Sequence, residues 1–254
     1  MFINNFDPVA VQIFSIDIKW YSLAYIVGIL LGWILSKKIF ISDQNIKEKF
    51  DDFITYIILG IIVGGRLGYV FFYNFSYYSD NLLDVIKIWQ GGMSFHGGLI
   101  GIIFSMFFFS KVKNINFFQL SDLICLAAPI GIFFGRLANF INIELYGKIT
   151  TFPFAIIYPT IDQYPRHPSQ LYEAFFEGII IFIVLYFYNL KSKNNNHGIS
   201  TGLFLILYGV FRTMIEFIRE PDYHLGLLFN LFSMGQLLSM PLIVLGIMIY
   251  LNKK

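Results

Sequence analysis

The sequence has 254 residues, 57% of them hydrophobic and 13% charged, a balance too apolar for a soluble domain whose surface must carry charge. A net charge of +2 gives no basic excess for a nucleic-acid partner. A single cysteine, Cys125, excludes an internal disulfide and a CxxC metal or redox motif.

Crossing about 30 Å of hydrocarbon takes a helix of roughly 17–25 mainly apolar residues, and the sequence predicts an all-α membrane protein of seven spans. The first, Trp20 to Ser36, follows a largely uncharged start with no basic n-region, and reads as a retained span rather than a cleaved signal peptide. It opens on "KWYSLAY", which sets Tyr21 and Tyr25 one helical turn apart. The second, Phe53 to Tyr73, carries Arg66. The third, Phe95 to Ser110, is entered through "GGMSFHGG", Gly91 to Gly98, a histidine framed by two glycine pairs.

The fourth span, Phe118 to Ala138, holds Cys125 among Leu and Ala, a setting that keeps a thiol protonated and makes it a packing residue. It ends on Arg136, Asn139 and Asn142, spaced i, i+3 and i+6, with Glu144 beyond. Residues 139–169 form the longest segment between spans and are expected to make a small external cap. The fifth span, Gln170 to Tyr188, is opened by "RHPSQLYEA". In the sixth, Thr201 to Phe217, Tyr208, Arg212, Glu216 and Arg219 recur at i, i+4, i+8 and i+11 and fall on one helix face. The seventh runs from Gln236 to Leu251. His167 is equally a turn or a site residue, His197 sits in a polar linker, and His224 with Asp222 gathers too few ligands for a metal.

Alternate loops carry ten Lys and Arg residues on one side and five on the other, which predicts an external N-terminus and a cytoplasmic C-terminus. On that topology Tyr21, Arg66, His96, Arg136 and Arg212 reach a similar depth near the external interface. Intramembrane Arg needs a partner or a wet cavity, and Arg is the side chain that forks onto phosphate. The stripe on span six is open to two readings, a salt-bridge ladder stapling helices or a ligand site. The glycines beside His96 are likewise open to close helix packing or close approach of a ligand to backbone.

"GRLANFINIELYG", Gly135 to Gly147, resembles the signature of the bacterial prolipoprotein diacylglyceryl transferases, with Ala138 where Gly is common. "WQGGMSFHGGLIG", "RHPSQLYE", "YGVFR" and "REPD" resemble the same family in the same order. The resemblance implies a transferase of lipoprotein biosynthesis in the bacterial inner membrane, with phosphatidylglycerol, other membrane lipids and the lipobox cysteine of a preprolipoprotein signal peptide as partners. It implies a thioether product, release of glycerol 1-phosphate and no metal or organic cofactor. Functional positions carry over to Tyr21, His96, Arg136, Asn139, Glu144, Gly147, Tyr208, Arg212, Glu216 and Arg219.

The expected roles are Arg136 and Arg212 on the phosphate and leaving group, Glu216 orienting Arg212, and His96 as the thiol's proton acceptor. The alternative to a histidine base is that arginines alone lower the thiol pKa. Asn139, Asn142, Glu144, Gly147, Tyr21, Tyr208, Arg219 and Arg66 are the expected substrate-binding residues. Two other classes compete. A phosphate transporter should show paired broken helices or an internal repeat, and a membrane scaffold does not explain polar groups gathered at one depth.

Overall fold

A computed structural model of the chain describes residues 2–14, 16–191, 196–221 and 232–253. Asp222, His224, Lys193 and Lys254 lie outside the described residues. Among the described residues, seven helices are long and apolar enough to cross a membrane: Trp20–Phe40, Gln44–Phe72, Phe95–Lys113, Phe117–Ile141, Ser169–Lys191, Ile199–Glu216 and Met234–Lys253. These are spans one to seven below. The chain divides into two compact units, Ile41–Ser121 and the combination of Met1–Phe40 with Asp122–Lys254.

Within Ile41–Ser121, span two begins nine residues before the apolar run that predicts it. Its polar start is helical because Asp43 caps it, accepting from the Asn45 N–H at 2.9 Å, and because Ile46, Phe50 and Phe53 bury one face. Phe53 packs on Phe109 of span three with ring centroids 5.2 Å apart. Farther along, the two helices meet through glycines: a Cβ on Gly101 would stand 1.9 Å from the Gly60 carbonyl oxygen, and one on Gly97 would stand 2.3 Å from that of Gly64. Backbones approach this closely where side chains are absent.

In the other unit, spans six and seven also meet through glycines, Gly202 against Gly246. Asp122 of span four caps the start of span six, its carboxylate accepting from the N–H groups of Gly198 at 2.6 Å and Thr201 at 2.8 Å.

The segment between spans four and five folds with the N-terminus. Strands β1 (Phe2–Ile3), β4 (Ile156–Ile157) and β5 (Pro165–Arg166) form one sheet in the order β1-β4-β5, and β2 (Val9–Ile13) pairs with β3 (Ile16–Lys19) as a hairpin leading into span one. Phe140, Ile156 and Tyr158 form a small core beneath the sheet. Asn4, fully buried, donates from Nδ2 to the Phe140 carbonyl at 2.7 Å. That bond supplements the one this carbonyl accepts from the Ile143 N–H at 3.3 Å, at the end of span four.

Candidate active site

Six side chains from spans four, five and six, and from the residues just after span six, form a chain of alternating charge. Glu177 Oε2 lies 3.2 Å from Arg136 Nη2, and Arg136 Nη1 lies 3.1 Å from Glu173 Oε2. Glu173 Oε1 lies 2.5 Å from Arg212 Nη1, and Arg212 Nη2 lies 2.9 Å from Glu216 Oε2. Glu216 Oε2 is in turn 3.6 Å from Arg219 Nη1. Glu173 and Glu177 are wholly buried. Three carboxylates and three guanidinium groups therefore share one desolvated row, which compensates the cost of burying each.

Span five changes its helical winding between the two acids. Ser169–Glu173 is α-helical and Ala174–Ile180 is a π-helix, the wide form found at functional sites. Glu173 and Glu177, four residues apart across that change, both reach Arg136. Tyr208, one turn before Arg212, lies within electrostatic reach of Arg136, Arg212, Glu173 and Glu177. Among the described residues, two ion-pair contacts apiece account for the ion pairs of Arg136 and Arg212, of five N–H donors in each guanidinium.

The turn after span four presents a second polar group. Asn139 Nδ2 donates to Glu144 Oε2 at 2.8 Å, and Asn142 Nδ2 reaches Oε1 at 3.4 Å. Glu144 stands between two residues in the left-handed region, Ile143 at φ 58° and Leu145 at φ 57°. A β-branched residue there is strained by roughly 1–2 kcal/mol. Span five holds the turn in place: Gln170 Nε2 donates to the Glu144 carbonyl at 2.5 Å, and Ser169 Oγ to that of Leu145 at 2.7 Å. Backbone strain locked from outside around an exposed carboxylate makes this turn a candidate for function.

Gly147 and Arg219 are paired backbone to backbone in an antiparallel bridge. A Cβ on Gly147 would stand 2.6 Å from the His167 carbonyl oxygen and 2.8 Å from that of Ile218, so the glycine serves close strand packing. Arg166, with Asp162 at 2.6 Å and Glu220 at 3.2 Å, also donates to the Gly147 carbonyl. Tyr21 is half-buried, its ring 5.1 Å from that of Tyr25. An apolar groove of about 360 Å³ is lined by Phe152, His167, Tyr172, Phe176, Phe211, Met214, Ile215 and Ile218.

Arg66 and His96 belong to the unit Ile41–Ser121. The Arg66 guanidinium donates to five backbone carbonyls: Val85 at 2.8 Å, Asp84 at 2.6 Å, Lys87 at 3.2 Å, Gly92 at 3.2 Å, and Gly91. All five donors are engaged, so the expectation that Arg66 binds substrate gives way to a role in fixing residues 84–92. "GGMSFHGG" divides accordingly. Gly91 and Gly92 take φ of 82° and 78° and offer their carbonyls to Arg66, while Gly97 lies against span two, so close helix packing is what this glycine provides. Ser94 caps span three by accepting from the Gly97 N–H at 3.2 Å, leaving His96 exposed in the first turn.

The sequence reading missed Glu173 and Glu177. An ionisable group in a membrane span is a functional candidate whatever its sign; applied to acids as it was to arginines, that rule finds both in span five.

Two comparisons extend the geometry. The family model described as "Prolipoprotein diacylglyceryl transferase" matches residues 8–252. A phosphatidylglycerol–prolipoprotein diacylglyceryl transferase of Rickettsia felis is 49% identical over 245 residues, covering 95% of this chain and 95% of its own length. The protein of the same name from Rickettsia canadensis is 49% identical over 249 residues, covering 97% and 96%. With the alternating row and the strained turn both falling inside the matched residues, the chain belongs to the prolipoprotein diacylglyceryl transferase family.

Proposed function

We propose that this chain transfers the diacylglyceryl group of phosphatidylglycerol to the thiol of a prolipoprotein's lipobox cysteine, at the outer face of the bacterial cytoplasmic membrane. Donor and acceptor are those in the relatives' names, and the excess of Lys and Arg on alternate loops supports an external N-terminus and a cytoplasmic C-terminus. The observation that carries the reading is the placement of Arg136 and Arg212 on either side of one buried carboxylate, Glu173. Two guanidinium groups so spaced, with donors to spare, suit the oxygens of a phosphodiester. The apolar groove, lined in part by Phe176 and Phe211, the sequence neighbours of Glu177 and Arg212, suits an acyl chain.

In the proposed step the cysteine sulfur attacks the glyceryl carbon that bears the phosphate. A C–S bond forms as the C–O bond breaks, the electron pair moves to the phosphate oxygen, and glycerol 1-phosphate leaves. Arg136 and Arg212 stabilise the charge that develops on that oxygen, and Glu216 holds Arg212 from one turn along span six. His96 is assigned as acceptor of the thiol proton, an imidazole being the side chain most used as a general base. Asn139, Asn142 and Glu144 are assigned the glycerol head. Tyr21 and Tyr208 are assigned to substrate contacts, and Gly147 and Arg219 to the frame around them.

The test is transfer of radiolabelled diacylglyceryl from phosphatidylglycerol to a lipobox peptide by purified protein in detergent. Label should reach the cysteine peptide and not its Cys→Ser counterpart, and Arg212→Ala should lower the rate by about a hundredfold or more. Label on the serine peptide, or none from folded, lipid-supplied protein, would overturn the reading.

A further inference from the structure

Among the described residues, the row sets three positive groups against three negative. A phosphodiester carries one negative charge at every physiological pH. Placed on Arg136 and Arg212, it would leave a desolvated cluster one charge out of balance, which a buried site resists by changing the protonation of its weakest member.

The row identifies that member. Glu173 lies between Arg136 and Arg212, and Glu216 between Arg212 and Arg219. Glu177 stands at the end with one guanidinium, that of Arg136. Its Oε1 is buried and without a hydrogen-bond partner among the described residues. The groups that face it are Arg136 from span four, Glu173 from its own helix, and Arg212 and Tyr208 from span six. When the lipid phosphate sits on Arg136 and Arg212, the two positive charges that favour an ionised Glu177 are shared with a second anion.

We propose that binding of the phosphodiester headgroup is coupled to uptake of one proton from solvent by Glu177, whose carboxylate becomes a neutral carboxyl that holds Arg136 in position without competing for it. Glu177 is a positioning residue acting through Arg136. This inference rests on the phosphatidylglycerol reading above, and deepens it.

The experiment is calorimetric titration of the detergent-solubilised full chain with phosphatidylglycerol at about pH 8 in buffers of different ionisation enthalpy, with diacylglycerol as the lipid lacking phosphate. The slope of heat against buffer enthalpy counts protons. About one proton per phosphatidylglycerol bound is expected, none with diacylglycerol, and an affinity falling about tenfold per pH unit on the alkaline side. In Glu177→Gln the lipid should bind with no proton uptake and a flat pH profile. Binding without uptake in the unmodified chain would overturn the inference while leaving the lipid reading intact, and that result does not depend on the variant folding. Uptake that persists in Glu177→Gln would overturn the assignment to Glu177. Absence of binding would overturn both readings.

Discussion

Arg212 Nη1 lies 2.5 Å from Glu173 Oε1, an ion pair that joins spans six and five through a carboxylate with no solvent exposure. Removing one partner of a buried pair strands the other, at a cost of about 3–5 kcal/mol. Glu173→Ala is therefore expected to unfold at lower temperature in detergent. The double variant Glu173→Ala/Arg212→Met should recover part of the loss. A double-mutant cycle that comes out additive would show that the two side chains are not coupled.

Arg66 is expected to matter for stability ahead of substrate affinity. A lysine in its place would offer three donors from a point charge instead of a planar fork of five. Arg66→Lys should cost about 2–3 kcal/mol and open residues 84–92 to limited proteolysis, with the KM for lipid unchanged. A raised KM with an undisturbed segment would return Arg66 to the substrate.

The glycines separate into two kinds by what a methyl group would meet. Gly101→Ala drives a Cβ into the Gly60 carbonyl, and overpacking of this kind costs about 1–3 kcal/mol or more. Gly131→Ala and Gly135→Ala meet nothing within 4 Å and sit in helix interiors, where Ala is favoured over Gly by about 1 kcal/mol. Thermal unfolding of the three variants should move in opposite directions.

Acid should loosen the segment between spans four and five in two stages. Burial holds the His167 imidazole below its ordinary value, so the folded state binds fewer protons than the unfolded one, and stability falls as pH drops below about 6.5. Arg166, by hydrogen bond and charge, holds the Asp162 carboxyl below its ordinary value. Its contribution is complete above about pH 4 and is lost as pH falls through the lowered value. His167→Gln should remove the first stage alone and Asp162→Asn the second, read as unfolding temperature against pH.

The seven spans were legible because a membrane helix satisfies its backbone internally and shows its length as hydropathy. The start of span two was not, since Gln44 to Asp52 is polar and its helix depends on a cap and one buried face. Arg136 and Arg212 could be named as a pair from sequence. Their meeting on Glu173 could not, because it depends on how spans four, five and six pack together. Arg66 looked like its two fellows, and only the carbonyls of a segment about twenty residues away distinguish it. Ile143 and Leu145 give no hint of φ near 60°, a backbone state that tertiary bonds from Ser169 and Gln170 impose.

The alternation of the buried row also governs how the site is found. Charges set plus against minus at about 3 Å cancel within a few ångströms, so the row casts little field into its surroundings and cannot draw anionic lipid from a distance as an uncompensated arginine pair would. On the proposed function, encounter is left to lateral diffusion, and discrimination among headgroups begins when an anion touches the guanidinium groups. Selectivity arising at contact should show in how long a lipid stays, with an arrival rate that added salt barely changes.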